Sequence, residues 1–228
     1  KKVTVNIVYL LGSINNIEIL DSAIKKYNID TVFHAAAYKH VNLVQLNPLS
    51  AIKNNVIGTF NLIKSVKKLN VKNFVLISTD KAVRPSTLMG KTKRVSELIV
   101  QSSFADLKKS KKTNQVFSIV RFGNVLESSG SVIPIFKRQI ATGGPVTVTH
   151  KDVTRYFMTI PEASRLVIEA SDIALGGEVF VLEMGDPIKI DQLEKKLIRL
   201  SGFNVYDDTE KDNNIFKSIK IKYIGLGK

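Results

Sequence analysis

The pattern of hydrophobic and polar positions predicts alternating strands and helices over the first half of the chain. Residues 3–10 alternate and then become continuously apolar, which predicts a first strand. Short apolar or β-branched runs predict three more strands at 31–35, 74–77 and 116–120. Strands separated by helical segments at this spacing predict an α/β fold with a doubly wound, Rossmann-like parallel sheet.

Apolar residues at helical spacing predict the helices between these strands. Asn16 is predicted to cap the first helix, and Asn47 with Pro48 is predicted to begin the second. A third helix is predicted from about Gly90. Three sets of residues show this spacing: Ile17, Leu20 and Ile24 share one face of the first helix; Ile52, Val56, Ile63 and Val66 are predicted to form the buried side of the second; and Val95, Leu98, Ile99 and Ser102 indicate the third.

The character of the sequence changes after residue 130. The elements predicted there are a turn at 143–145, an exposed strand at 146–149, a helix at 161–170, a strand at 179–182 and a helix at 191–200. This pattern predicts two parts. They are residues 1–130, which contain most of the sheet, and residues 131–228, a smaller lobe interleaved with the sheet.

Composition and charge argue against several classes of protein: disulfide-stabilised, membrane-spanning and nucleic-acid-binding. The 228 residues contain no cysteine, which excludes disulfides and thiolate metal sites, and we expect no metal. No apolar run reaches the roughly 18–20 residues that span a bilayer, so we expect a cytoplasmic protein. The net charge of +14 comes from scattered lysines, and the densest run, 108–112, has no interleaved aromatics. We therefore interpret the lysines as a solvated surface and expect no nucleic-acid partner.

Residues 78–94 carry the candidate chemistry. Thr79, Asp80 and Lys81 follow a predicted buried strand, and open α/β sheets bind ligands at such strand ends. Met89 and Lys93 are four residues apart and would share one helix face. From the residues alone, two interpretations of Asp80 and Lys81 stay open: an acid–base pair, or an exposed ion pair in a turn.

Seven segments together carry a resemblance to a known family. They are residues 34–41, 54–59, 78–94, 121–126, 128–134, 143–150 and 154–160. In this order they resemble the nucleotide-sugar 4,6-dehydratases of the extended short-chain dehydrogenase/reductase superfamily, in the polysaccharide-biosynthesis branch that acts on UDP-N-acetylglucosamine. Short-chain dehydrogenases have a Tyr where this chain has Met89. The Met is typical of the branch whose full-length members have an amino-terminal membrane region and retain configuration at sugar carbon 5.

The resemblance implies a reaction that is redox-neutral as a whole. Bound NAD or NADP takes hydride from sugar carbon 4, water is eliminated across carbons 5 and 6, and the hydride returns to carbon 6. It implies that Lys81 is the base at carbon 5 and that Asp80 is the acid for the leaving hydroxyl. Thr79 would contact the carbon 4 hydroxyl in place of the missing Tyr, and Lys93 would bind the nicotinamide ribose. Met89 occupies a catalytic position without a titratable proton, and a core-packing role for it stays open.

The resemblance also implies that residues 1–130 are a partial NAD(P)-binding domain and that residues 131–228 are mostly a nucleotide-sugar-binding lobe. It implies binding residues for both ligands. The predicted cofactor contacts are Ala35, Ala36, His40, Asn54, Ser78, Lys93, Val125 and Leu126. The predicted contacts with the UDP-sugar are Lys39, Asn124, Ser131, Val132, Thr149 and Arg155. Of the mid-helix pair Asn54 and Asn55, we expect one to turn inward and order the site.

The sequence departs from the family pattern at several points, and these departures leave alternative functions open. The glycine-rich turn that cradles a pyrophosphate is missing, since Gly12 is the first glycine, so the first βαβ half is expected to be absent. Ser13 replaces a family Asp, and Glu127 replaces a family Gly. We expect a fragment of a homo-oligomeric enzyme whose parent is anchored at the cytoplasmic face of the inner membrane. The alternatives are a catalytically inactive binding module, a dehydratase that inverts carbon 5, and a nucleotide-sugar epimerase.

Overall fold

A computed structural model describes residues 5–110, 114–128, 131–206 and 218–225. The helices are α1 (Ile17–Lys26), α2 (Val41–Leu46), α3 (Pro48–Ala51), α4 (Gly58–Lys68), α5 (Leu88–Ser110), α6 (Val132–Ala141), α7 (Ile160–Ile173) and α8 (Ile190–Leu200). The strands are β1 (Thr31–His34), β2 (Asn73–Thr79), β3 (Val116–Phe122), β4 (Asn124–Val125), β5 (Val146–Val148), β6 (Thr154–Arg155), β7 (Phe157–Met158), β8 (Val179–Val181), β9 (Ile188–Lys189), β10 (Asn204–Tyr206) and β11 (Ser218–Tyr223).

Contacts divide the described residues into two compact units. One takes its residues from Lys1–Arg121 and Ala170–Phe180, and the other from Phe122–Glu169 and Val181–Lys228. The domain boundary predicted after residue 130 stays a prediction.

The first unit is built on a four-stranded sheet in the order β1-β2-β3-β8. Strands β1 and β2 pair in parallel, with His34 opposite Leu76. Helices α1, α4 and α5 bury apolar side chains against the sheet, and α4 contacts both of the others. The core residues are Ile24, Leu62, Ile63, Val66, Val71, Phe74, Leu76, Val100, Phe117 and Ile119. The predicted α/β fold with a Rossmann-like parallel sheet is confirmed.

The second unit contains a parallel three-stranded sheet in the order β10-β11-β5. Val146 and Val148 of β5 are buried, whereas the sequence predicted an exposed strand here. The difference arises because both valines face a core with Phe136 of α6 and Ile198 of α8. The second unit also contains two short strand pairs, parallel β4–β7 and antiparallel β6–β9.

The predicted strand at 3–10 is wrong over its described part. Residues 5–10 form no strand, and Val5 and Tyr9 are 71% and 87% exposed. A strand needs a neighbour to pair its backbone groups. Within the described residues this segment finds none, so its apolar pattern alone cannot hold it in a sheet.

The second predicted helix differs from its prediction at two points. Pro48 begins α3 as predicted, but Asn47 does not cap it, because its side-chain amide donates to the Leu43 carbonyl of α2 instead. Ile52 is 40% exposed rather than buried. A π-helical segment, Ile52–Ile57, joins α3 to α4, and its wider turn shifts positions relative to the 3.6-residue period.

The residues whose spacing predicted α5 lie largely on its outward face. Val95 and Leu98 are 41% and 47% exposed, whereas Lys93, Ser96 and Glu97 are buried. Polar residues occupy the inward side because this face lies against the strand ends that carry the candidate site. The predicted helical spacing therefore matches α5, although the residues that show it are not those of its buried face.

The remaining predicted elements match observed helices and strands in place. Asn16 caps α1, accepting a hydrogen bond from the Ile19 N–H at 3.2 Å. Among the described helices, none is long and apolar enough to cross a membrane. In the same residues, no group of three or more His, Asp or Glu side chains could hold a metal ion.

Candidate active site

The candidate site lies where β2 ends in a 3-10 turn, Asp80–Ala82. Thr79 precedes this turn, and its hydroxyl accepts from the Lys81 N–H while donating to Asp80 Oδ1 at 2.7 Å. Lys81 Nζ also donates to Asp80 Oδ1, at 3.0 Å. The turn therefore holds the three polar side chains of the motif together at the carboxyl end of the strand.

The charges of this trio are balanced in the present arrangement. The Asp80 and Lys81 side chains are 49% and 36% exposed. Burial raises the pKa of Asp80, but hydrogen bonds from Thr79 and Lys81 outweigh it and bring the pKa below the usual value. Asp80 is therefore ionised at neutral pH. It can act as a proton donor only after it has gained a proton, and the Lys81 ammonium at 3.0 Å is a neighbour that can supply one.

Lys93 lies on the inward face of α5 and reaches the same strand end. It is 8% exposed, and Nζ donates to the Ile77 carbonyl at 2.8 Å. Burial lowers the pKa of Lys93 to about 8, while the negative charge of Glu97 opposes this shift. A lysine with this pKa exchanges its proton near neutral pH, which suits a group that assists deprotonation.

The start of α5 packs closely on the turn that carries Lys81. A Cβ atom added at Gly90 would lie 2.5 Å from the Lys81 backbone oxygen, so only glycine allows this approach. Next to it, Met89 is 4% exposed and packs in an apolar cluster with Val44 and Ala51. The Met89 side chain thus packs in the core.

A buried polar network orders the loop that follows β1. Asn55, from the π-helical segment, is 1% exposed and pairs through its amide with the backbone N–H and carbonyl of Tyr38, at 2.8 and 3.0 Å. The same amide donates to Thr92 Oγ1 at 3.0 Å. Asn55 is thus the residue that turns inward, while Asn54 is half-buried and donates to it.

This loop contains four of the predicted contact residues. Ala35, Ala36, Lys39 and His40 are all exposed in the segment between β1 and α2. The two alanines leave the backbone at the end of β1 open to close approach. At the end of the same strand, buried His34 faces Thr59 Oγ1 at 2.8 Å, and burial lowers its pKa to about 4.

Sequence analysis did not predict the most heavily hydrogen-bonded carboxylate of the site. Glu97 is fully buried and accepts from Arg121 at 2.7 and 2.6 Å, from Arg94 at 3.0 Å, and from Ser78. Ser78, a predicted cofactor contact, is thereby 4% exposed and engaged with the protein. One sequence signal was available, because Glu97 lies one helical turn after Lys93 and shares its face.

In the second unit, the predicted contacts 124–126 lie beside β7. Asn124 N–H donates to the Tyr156 carbonyl and Leu126 N–H to the Met158 carbonyl, at 3.1 and 2.8 Å. Val125 is half-buried between them. Glu127 follows with a φ of +58°, a left-handed backbone that favours the glycine typical of the resembled family.

The remaining predicted contacts of this unit differ in how they are held. Ser131 is the N-cap of α6, and its buried Oγ has no hydrogen-bond partner among the described residues, a site where a ligand oxygen could bind. Val132 begins that helix and is half-buried. Thr149 is half-buried, and Arg155 is exposed with one guanidinium nitrogen donating to the Thr154 carbonyl.

A family model described as polysaccharide biosynthesis protein matches residues 1–228. The chain belongs to this polysaccharide biosynthesis protein family. A relative named capsular polysaccharide biosynthesis protein CapD, from Staphylococcus aureus, is 54% identical over 198 residues, covering 87% of the chain and 32% of CapD. A protein named UDP-glucose 4-epimerase, from Rickettsia canadensis, is 35% identical over 173 residues, covering 76% of the chain and 49% of that protein.

Solved structures agree with the family fold. The X-ray structure of Pen from Bacillus thuringiensis has a TM-score of 0.84 and 38% identity, covering 97% of the chain and 63% of Pen. DesIV, a dTDP-glucose 4,6-dehydratase from Streptomyces venezuelae with NAD and TYD bound, has a TM-score of 0.77 at 18% identity, covering 93% of the chain and 66% of DesIV. The chain thus spans about a third of CapD and about two thirds of these structures.

Proposed function

We propose that this chain is part of a nucleotide-sugar 4,6-dehydratase that converts UDP-N-acetylglucosamine to its 4-keto-6-deoxy product. The observation that carries the proposal is the Thr79–Asp80–Lys81 turn at the end of β2, with Lys93 Nζ bonded to the carbonyl of Ile77 two residues before it. Membership of the polysaccharide biosynthesis family supports a role in making surface polysaccharide or glycan. In this setting the enzyme works in the cytoplasm, or at the cytoplasmic membrane face in a longer parent protein.

Each residue of the turn has a proposed task. When the substrate covers the turn, the proton shared between Lys81 and Asp80 moves to Asp80. The free amine of Lys81 then removes the proton from carbon 5, and Asp80 passes its proton to the hydroxyl that leaves carbon 6 as water. Both tasks need water to be excluded, because the pair is now partly exposed and mutually bonded. The substrate would supply that exclusion by covering the turn. Thr79 would then turn its hydroxyl from Asp80 to the carbon 4 hydroxyl, and Lys93 would favour deprotonation there.

The residues of the first unit fit one end of a nicotinamide dinucleotide. The open backbone at Ala35 and Ala36 and the amine of Lys93 suit the nicotinamide ribose, with NAD or NADP equally compatible. When bound, the cofactor would accept hydride from carbon 4 and return it to carbon 6. This sequence has no glycine-rich turn, so it offers no such turn to bind the pyrophosphate of the cofactor.

In the second unit, the N-terminus of α6 suits the substrate's diphosphate. A helix N-terminus attracts anions, and the Ser131 Oγ, which has no partner in the described part of the chain, offers one further donor. Thr149, Arg155 and Asn124 are proposed as further contacts of this unit with the UDP-sugar. Lys39, of the first unit, stays a contact predicted from the sequence.

Binding and turnover test the proposal separately. Calorimetry of the chain with NAD+ and NADP+, with and without UDP-N-acetylglucosamine, is expected to show saturable binding of a dinucleotide. Turnover to the 4-keto-6-deoxy product is then expected to fall by about 10²–10⁴-fold in Asp80→Asn and in Lys81→Met. Lys91→Met, which removes an exposed lysine of the same helix as Lys93, is the matched control and should retain activity.

Other outcomes favour the alternatives. Conversion to the carbon 4 epimer without loss of water would favour an epimerase, the activity in the name of the Rickettsia relative. An inverted carbon 5 in the product would favour the other dehydratase type. A folded chain that binds no dinucleotide would favour an inactive binding module.

We also propose that the chain forms a homo-oligomer through the outward faces of α4 and α5. Phe60, Val95 and Leu98 are 41–47% exposed there, beside Lys64 of α4 and Asp106 of α5. A basic and an acidic side chain on one face can pair reciprocally across a two-fold axis.

The oligomer proposal predicts a specific loss of assembly. Light scattering is expected to give a dimer or larger species for the wild type and a monomer for Val95→Glu/Leu98→Glu. The control Leu46→Glu/Leu49→Glu carries the same charge change on exposed residues of α2 and α3, and should leave the mass unchanged. A wild-type monomer at every concentration would contradict the proposal.

A further inference from the structure

Exposed lysines gather at the edge of the first unit opposite the candidate site. The helices run back from the carboxyl ends of the strands, so α1, α4 and α5 all end near the amino ends of β1, β2 and β3. Each helix has a pair of lysines in its last turn, where the helix dipole favours cations. The exposed lysines of this edge are Lys25, Lys26, Lys68, Lys72, Lys108 and Lys109, and we name them the basic rim.

Backbone and side-chain contacts show that these lysines belong to one edge. Asn73 N–H donates to the Asp30 carbonyl at 2.9 Å, joining the starts of β1 and β2. Val116 N–H donates to the Lys72 carbonyl at 2.7 Å, joining the starts of β2 and β3. Gln115, just before β3, donates to the Val66 carbonyl in the last turn of α4.

The charge of the rim is only partly compensated. Lys68 pairs with Asp21 of α1 at 2.6 Å, and Asp30 and Asp106 are the exposed carboxylates in the same stretches. Six exposed lysines therefore face three carboxylates. Ile29, 36% exposed, adds an apolar side chain at the same edge.

We propose that the basic rim docks the first unit on an anionic lipid surface. Lysines spread over a sheet edge match the diffuse negative charge of phospholipid headgroups, and the rim contains no arginine fork for specific phosphate recognition. The candidate site, at the carboxyl ends of the strands, would then face away from the lipid and stay open to a water-soluble nucleotide sugar. The proposal does not depend on the reaction proposed above.

Vesicle flotation tests the rim directly. The full chain is expected to float with phosphatidylcholine vesicles that contain phosphatidylglycerol, not with phosphatidylcholine alone, and added salt should release it. The variant Lys26→Glu/Lys72→Glu/Lys109→Glu takes one lysine from each of three segments of the rim. If each lysine contributes about fivefold, its partitioning should fall by about a hundredfold.

The control variant is Lys53→Glu/Lys91→Glu/Lys196→Glu, which has the same net charge and changes exposed lysines outside the rim. It should retain most of the binding, and circular dichroism should show that both variants are folded. Equal loss in both variants would mean that only net charge matters, and would overturn the proposal. So would a wild type that ignores phosphatidylglycerol vesicles or binds duplex DNA in their place through the same lysines.

Discussion

Replacing Glu194 with leucine is expected to stabilise the protein, by about 1–2 kcal/mol at pH 5 and about 4 kcal/mol at pH 8. Glu194 lies on the inward face of α8 between Ile190 and Ile198 and is fully buried in the core of the second unit. Neither carboxyl oxygen has a hydrogen-bond partner among the described residues. Such a group costs free energy even when neutral, and more when charged.

The pH dependence follows from the direction of the pKa shift. Burial, assisted by the charge of Asp191 and opposed by that of Lys195, raises the pKa of Glu194 to about 8. The folded state therefore holds a proton that the unfolded state releases above about pH 4.5. The shifted titration adds no cost to the folded state below about pH 4.5 and destabilises it increasingly as the pH rises toward 8, so the gain from leucine grows over that interval.

Urea unfolding between pH 5 and pH 8.5 measures both effects. Glu194→Gln separates them, since glutamine removes the titration but keeps an unpaired polar group. It should abolish this group's pH slope and recover only part of the gain. Glu183→Leu, at an exposed position of the same unit, is the control. A leucine variant no more stable than the wild type at pH 8 would mean that the carboxylate reaches water.

Hydrophobic periodicity predicted most of the fold, and its failures have physical causes. It located β2, β3 and α8 because their burial is set by local patterns of apolar side chains. It placed Ile52 wrongly because the π-helical segment breaks the 3.6-residue period on which the prediction rests. For 5–10 it predicted a strand because sequence reports the apolar side chains but not whether a neighbouring strand is there to pair with them.

The candidate site was predictable where its chemistry is contiguous in sequence. Thr79, Asp80 and Lys81 are adjacent, so the motif and its place after a strand could be recognised together. Glu97 and Arg121 are 24 positions apart and meet only in the folded chain. A charged residue is usually solvated, so neither Glu97 nor Glu194 looked buried in sequence. Their difference, one fully paired and the other unpaired, depends on long-range packing alone.

Because Arg121 pairs with the buried Glu97, substitution of Arg121 is also expected to change the free energy of unfolding strongly. Arg121→Met should lower the free energy of unfolding by about 3 kcal/mol, because it leaves a fully buried carboxylate with fewer donors. Hydrogen bonds from Arg121, Ser78 and Arg94 together outweigh burial, which alone would raise the pKa of Glu97, and hold that pKa below its usual value. Arg94→Met is the control; it removes one bond from a side chain that is 37% exposed and should cost about 1 kcal/mol.

A double-mutant cycle separates the value of the pair from the cost of an orphaned charge. In Glu97→Met/Arg121→Met the buried carboxylate is gone, so the double variant should recover most of the stability that Arg121→Met loses. Chemical denaturation of the four proteins gives the coupling energy, and hydrogen exchange in β2 and β3 shows whether the loss is local. Additive effects would mean that Arg94 and Ser78 suffice to hold Glu97. Strong coupling would mean that Arg121 keeps the charged face of α5 on the strand ends, with Lys93 one turn away.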